Sequence, residues 1–315
     1  MNDFVSRSRG WIIGYVFAVL AMTAFVASAE AGVSEEYLER GVSKAESGDY
    51  PGAIEEFSRS IRLKPHNPVA FYNRGLAKGF AGDLKGAIAD YSKTIAMDPR
   101  SIVAYNNRGY TRAALGAYAL AIADISKAIS INPSVPEFYN NRGTVRTSMK
   151  DYRAAIADYD KALALDPGLA GVYNNRGLAK GFSGDLQGAI DDFSRSVALD
   201  QRYTVAWYNR GNARVAIDDA KGAYEDYSRV LVLDPMMLAA WNNRAFTSMK
   251  LGDYKGAVRD LGKIIEIEPG NASVWYNRGV VKKLSGDRAG AIDDLKKAVE
   301  MGDSLATDAL KELAP

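Results

Sequence analysis

The chain has 315 residues, with 40 Lys and Arg against 38 Asp and Glu, and it contains no cysteine. A net charge of +2 over that length argues against the bulk basic surface that nucleic acid or anionic lipid requires. With one histidine, His66, and no thiol, disulfides, cysteine nucleophiles and zinc sites built on His or Cys ligands are excluded.

The N-terminus follows its own pattern. Arg7 and Arg9 precede an apolar run from Trp11 to Val26, broken by Gly14 and Thr23, and Ala27-Ser28-Ala29 follows. A basic start, an apolar centre and a small-residue exit are the layout of a secretory signal, so residues 1–29 are expected to be cleaved off after Ala29. An uncleaved anchor is the alternative, since the run approaches the roughly 17–20 residues that span a bilayer. A membrane partner is expected only in that case. Either way the body of the chain is expected to be exported, periplasmic or secreted, with residues 30–33 as a short leader.

After the leader, the strings YNRG and NNRG recur every 34 residues. Their small residue is Gly41, Gly75, Gly109, Gly143, Gly177, Gly211, Ala245 and Gly279 in turn. Taking it as place 8 divides the chain, without insertion, into eight units: 34–67, 68–101, 102–135, 136–169, 170–203, 204–237, 238–271 and 272–305. Place 20 is always alanine, from Ala53 to Ala291, and place 4 is always aromatic, from Tyr37 to Trp275. Small residues at 8 and 20 let two helices approach closely, and the aromatic fills the seam to the neighbour. Proline at place 32 in six units stops the second helix, and Gln201 in its stead predicts a junction of different twist. Apolar spacing is helical twice per unit, with Gly-Asp between as C-cap and N-cap. Lys150 and Asp218 replace that glycine in two units, which predicts strained or reshaped turns. Glu35, Glu36 and Glu39 polarise the entry helix, and residues 304–315 read as a capping helix covering the last unit with Leu305, Ala309, Leu310 and Leu313.

These residues resemble the tetratricopeptide repeat family, whose 34-residue pattern runs aromatic, Leu-Gly, Tyr, Ala, Phe and Pro. The resemblance covers nearly all of the chain beyond the leader. It implies an all-α fold, a right-handed superhelical solenoid of helix-turn-helix repeats, and service as a binding scaffold.

One charge pattern goes beyond the family's requirements. Place 7, commonly leucine in the family, is arginine in every unit, and place 23 is acidic in every unit. The expected structural ion pairs are Arg74–Asp90, Arg108–Asp124, Arg142–Asp158, Arg176–Asp192, Arg210–Asp226, Arg244–Asp260 and Arg278–Asp294, with Arg40–Glu56 in the first unit. An arginine fork suits a carboxylate in a half-buried seam, and its regular use reads as register-fixing glue. Place 11 is basic in all units but one, where Ser248 stands.

In the proteins it resembles, places 2, 5, 6, 9, 12 and 13 line the concave side. Place 6 here is Asn73, Asn107, Asn141, Asn175, Asn209, Asn243 and Asn277. Asparagine is a mediocre helix former, and its amide matches the alternating donors and acceptors of an extended peptide. A peptide-binding groove is therefore expected along these residues with Tyr72, Tyr110, Tyr208 and Tyr276; the alternative is that the amides bond the adjacent helix and space the repeats. Phe80, Phe182, Leu178 and Phe246 add apolar steps. No unit carries the lysine at place 5 that the family's carboxylate clamp needs, so capture of an acidic tail is not expected.

Adjacent acids such as Asp191-Asp192, Asp218-Asp219 and Asp293-Asp294 read as solvated faces, and no nucleophile–base set is present. The sequence thus predicts no catalysis, no cofactor, no metal and no nucleic acid. It predicts an exported scaffold that binds an extended segment of a protein or peptide partner, with a carbohydrate-binding or envelope-assembly module as the alternative.

Overall fold

The computed structural model describes residues 29–313, so the expected signal peptide, apart from Ala29, lies outside the described residues. Within them the chain forms seventeen α-helices and no strand, divided between two compact units that part after Pro167. The first unit holds α1 (Ala29–Glu46), α2 (Tyr50–Leu63), α3 (Pro68–Phe80), α4 (Leu84–Met97), α5 (Ile102–Ala114), α6 (Tyr118–Ile131), α7 (Pro136–Ser148) and α8 (Tyr152–Leu165). The second holds α9 (Ala170–Phe182), α10 (Leu186–Leu199), α11 (Thr204–Ala216), α12 (Ala220–Leu233), α13 (Leu238–Lys250), α14 (Tyr254–Ile267), α15 (Ala272–Leu284), α16 (Arg288–Glu300) and α17 (Ser304–Lys311). Each unit is an all-α helical-repeat solenoid in which every helix packs on its neighbours in sequence. No helix among the described residues is long and apolar enough to cross a membrane.

The hairpins close because two places carry almost no side chain. The place-20 alanines, Ala53 and Ala223 among them, are fully buried. A Cβ added to the place-8 glycine would come within 2.8 Å of the Tyr91 ring at Gly75, 2.7 Å of Phe193 at Gly177 and 2.8 Å of Tyr227 at Gly211. Glycine there is a packing requirement. Ala245 is accommodated at the same place against the smaller Leu261, in one apolar cluster.

Between the helices of a pair, Gly48, Gly82, Gly116, Gly184, Gly252 and Gly286 adopt positive φ. The following aspartate then accepts from the backbone three residues on, as Asp49 does from Gly52 N at 2.9 Å. Lys150 (φ 63°) and Asp218 (φ 66°) hold the same left-handed conformation, so these turns keep the common geometry and carry its strain. Ala117 occupies an N-cap with no side-chain bond, a gap the sequence reading missed.

At the Gln201 junction Trp207 Nε1 donates to the Gln201 carbonyl at 3.1 Å, as Trp241 and Trp275 donate to Pro235 and Pro269. The acceptor is a backbone oxygen that glutamine and proline share. Residues 30–33 lie within α1, which begins at Ala29. One expectation is corrected. The capping helix ends at Lys311, with Ala306 and Leu313 buried against Leu295 and Ala298 while Leu305 is 63% exposed. One residue is about 100° of helix, so burying Ala306 turns Leu305 outward.

Candidate functional site

The first helix of each repeat presents two faces, one charged and turned toward the second helix, the other neutral. On the charged face seven arginines grip their carboxylates with both arms. Arg74 donates from Nε and Nη2 to the two oxygens of Asp90 at 2.8 Å each, and Arg108, Arg176, Arg244 and Arg278 repeat the fork on Asp124, Asp192, Asp260 and Asp294. Arg142 and Arg210 hold Asp158 and Asp226 in the same way, with Nη2 at 2.7 Å. All seven carboxylates are buried.

The fork has three further contacts that sequence reasoning did not assign. The place-11 cation supplies a second partner: Lys78 to Asp90, Arg112 to Asp124, Arg146 to Asp158, Lys180 to Asp192, Arg214 to Asp226 and Lys282 to Asp294, at 2.6–2.9 Å. The remaining guanidinium nitrogen reaches the preceding repeat, Arg108 Nη1 donating to Ser92 at 3.0 Å and Arg244 to Ser228 at 3.1 Å. The place-4 aromatic lies beneath the guanidinium, with Arg210 4.7 Å from the Trp207 ring centre and Arg278 4.8 Å from that of Trp275. Each arginine therefore joins its own hairpin and, in several repeats, the one before. Burial pushes the Asp226 carboxyl above its ordinary pKa, against the lowering pull of Arg210 and Arg214.

The first repeat departs from the expected pair. Arg40 turns to Glu36 at 3.5 Å and is 48% exposed, while Lys44 takes Glu56 at 2.7 Å and holds its carboxyl below the ordinary value. Glu56 thus keeps the place-11 partner that six of the aspartates have and lacks the arginine fork.

The neutral face carries the asparagines, and four of them donate to place 5 of the preceding repeat. Asn107 Nδ2 reaches Tyr72 Oη at 2.9 Å, Asn141 reaches Asn106 Oδ1 at 3.1 Å, Asn209 reaches Asn174 Oδ1 at 2.9 Å and Asn243 reaches Tyr208 Oη at 3.2 Å. Tyrosine and asparagine interchange at place 5 because each offers an acceptor oxygen at that distance. Asn175 accepts from Asn174 at 3.4 Å. Asn73 follows Leu38, which has no acceptor, and its buried Nδ2 is unpartnered. Asn277 is exposed, and no hydrogen bond joins it to Asn242 before it.

The aromatic candidates divide likewise. Tyr72 packs on Tyr91 and Tyr208 on Tyr227, ring centres 5.9 Å apart in both cases, and Tyr110 is half-buried. Phe80 stacks on Tyr50 at 5.1 Å, whereas Phe182 and Phe246 are 62% and 51% exposed. In the C-terminal unit a cavity of about 420 Å³ opens between α13 and α15, lined by Asn242, Asn243, Phe246, Met249, Tyr276 and Asn277 over a floor of Ala245, Leu261 and Val281. Its place-5 and place-6 members belong to the predicted groove; Met249, Leu261 and Val281 do not figure in that prediction. Among the described residues no group of three His, Cys, Asp or Glu is placed to hold a metal ion.

Comparison with known proteins agrees with this architecture. Models of the tetratricopeptide repeat match residues 72–136, 136–169, 238–271 and 272–301, and a TPR repeat model matches 43–79. Among solved structures, YrrB, described as a TPR protein with an unusual peptide-binding site, is 25% identical over 60% of this chain and 97% of its own, with a TM-score of 0.54. The C-terminal part of a TPR repeat-containing protein from Cytophaga hutchinsonii is 17% identical over 75% of this chain and 97% of its own, with a TM-score of 0.60. PilW, described as a widely conserved type IV pilus biogenesis factor, is 19% identical over 66% of this chain and 96% of its own, also with a TM-score of 0.60. No curated protein matches the chain. The 34-residue register, the stacked hairpins and these matches together place the chain in the tetratricopeptide repeat family.

Proposed function

We propose that the chain is an exported, non-catalytic scaffold whose first-helix faces form a groove for an extended segment of a polypeptide partner. The observation that carries this reading is the division of the first helix: the place-7 and place-11 cations of repeats 2 to 8 are bound to buried carboxylates, while Phe182, Phe246, Asn242 and Asn277 on the other face are open to solvent. Neutral amides and exposed rings suit a peptide backbone and its apolar side chains. The peptide-binding site named for YrrB supports the same class of partner. Because several ladder amides donate between repeats, we assign partner contact to the amides' oxygens and to the exposed members, Asn277 above all.

Photo-crosslinking groups at Phe182 and Phe246, in the full chain within its native envelope, should trap a polypeptide, and the same groups at Lys93 and Lys127 on second helices should not. Adducts to polysaccharide alone, or polypeptide adducts from the second-helix positions alone, would overturn this reading. Export rests on the composition of residues 1–29, and an envelope-derived chain whose first residue is Glu30 is the expected mass-spectrometric result. Cytoplasmic recovery of the uncut chain would sink that part.

A further inference from the structure

At repeat 7 the neutral face opens into a cavity, and its residues show why. Place 24 carries an aromatic ring in five repeats: Phe57, Tyr91, Tyr159, Phe193 and Tyr227. In repeats 2 and 6 that ring packs against a second one at place 5, with centres 5.9 Å apart. Repeat 7 has neither ring, with Asn242 at place 5 and Leu261 at place 24. Repeat 3 has the comparable residues Asn106 and Ile125, but there Asn106 donates to Asn107 and accepts from Asn141, closing the face. In repeat 7 Asn242 and Asn277 are both exposed and unbonded to each other, and the cavity of about 420 Å³ lies at their feet.

We propose that this cavity receives an aromatic side chain of an extended, uncharged peptide, whose backbone meets the amides of Asn242 and Asn277. The proposal rests on the groove reading above and narrows it to one subsite and one side-chain class. Size fits, because an apolar cavity of roughly 150 Å³ already admits a benzene ring. Chemistry fits as well. Phe246, Tyr276 and Met249 give ring and thioether contacts, and a methionine can re-pack around a ring of either size. No lining residue carries a charge, and Lys250, whose Nζ lies 5.8 Å from the Phe246 ring centre, is already paired with Asp218 at 2.8 Å, so a neutral occupant complements the site. The incoming ring takes the place that Tyr227 fills in the repeat before.

The test uses capped nonapeptides of Ser, Asn and Gly with Phe, Trp or Ala at the centre, titrated by fluorescence anisotropy against the full chain. Phe- and Trp-centred peptides should bind at least about tenfold more tightly than the Ala-centred one, the factor expected from burying one ring. Leu261→Phe combined with Ala245→Gly, which supplies the missing ring from within and removes the Cβ it would meet, should remove that preference at unchanged helicity. Phe246→Asp is a second variant at a half-exposed position that puts charge on the rim, and it should also remove the preference. Equal binding of all three peptides, absence of binding, or a preference undiminished in both variants would overturn the subsite. Crosslinking at Phe182 separates the two claims: polypeptide adducts there with no ring preference leave the groove standing without this subsite, and loss of those adducts removes the groove itself.

Discussion

Repeats 6 and 7 are neighbours in the C-terminal unit and differ at places 8, 11 and 24 as well as at place 5. Repeat 6 has Gly211, Arg214 and Tyr227 where repeat 7 has Ala245, Ser248 and Leu261. The fork is the same in both, Arg210 on Asp226 and Arg244 on Asp260, each with Nη2 at 2.7 Å. Around it the surroundings diverge. Asp226 has a second cation, Arg214, at 2.9 Å, and the Tyr227 ring fills the face above. Asp260 has Arg244 alone, the buried Ser248 hydroxyl has no partner, and the cavity opens over Leu261. The fork and the place-20 alanine suffice to hold a hairpin in register. Places 11 and 24 can depart from the pattern with the hairpin intact, and the neutral face changes where they do.

That contrast makes the two forks unequal under mutation, and the largest effect belongs to repeat 7. Arg244→Ala leaves the buried Asp260 without any cation and should cost about 3–5 kcal/mol. Arg210→Ala leaves Arg214 beside Asp226 and should cost about 1–3 kcal/mol. Urea unfolding of the two variants checks the ranking; equal costs would mean that the second cation contributes nothing. Tyr227→Leu should convert repeat 6 toward repeat 7 at about 2 kcal/mol, through the cavity left beside Tyr208 and the lost bond to Asn212 at 2.8 Å. An unchanged denaturation midpoint would mean that α11 and α13 collapse onto the space.

Acid should act with opposite sign in repeats 1 and 6. Lys44 lowers the Glu56 carboxyl from 4.5, so its stabilisation is present above that value and is lost as pH falls toward the folded-state value. Burial raises the Asp226 carboxyl, so its contribution is complete at low pH and declines as pH rises through the folded-state value. Amide exchange corrected for intrinsic rates should therefore quicken in α1 and α2 relative to α11 and α12 as pH falls below 4.5. Uniform loss of protection would break the distinction.

Recurrence made much of this legible from sequence. Arginine at place 7 and an acid at place 23 share no local spacing, yet seven identical recurrences tie them together, and the structure has a fork at each. Arg40 escapes the pattern: it turns to Glu36, and Glu56 keeps only the place-11 partner Lys44 from the shared arrangement. The asparagines were visible as a series, but their partners were not, since Tyr72 and Asn106 look unlike until their oxygens are seen at one position. The cavity needed the conjunction of Asn242 and Leu261 from two helices. Its trace in the sequence was the clustering of exceptions in one unit, Ala245 and Ser248 together. The phase error at Leu305 has a simpler origin: a short helix with alanine and leucine on adjoining positions offers two faces of similar hydropathy, and packing on Ala298 selects the alanine.

The smallest expected effects lie in the two turns that lack glycine, and they sharpen the comparison by differing from each other. An L-residue in the left-handed region is disfavoured by about 1–2 kcal/mol, and a glycine introduced there relieves this while adding entropy to the unfolded chain. Lys150 at φ 63° makes no ion pair among the described residues, so Lys150→Gly should stabilise the protein by about 0.5–1 kcal/mol. Asp218 at φ 66° has the same strain but pairs with Lys250, one repeat further on, at 2.8 Å. Asp218→Gly relieves strain and deletes that bridge at once, so its gain should be the smaller of the two. Thermal midpoints of the two variants decide it: an equal rise would show that the Lys250 bridge adds nothing, and a fall for Lys150→Gly would show that the lysine side chain supports a turn whose backbone it strains.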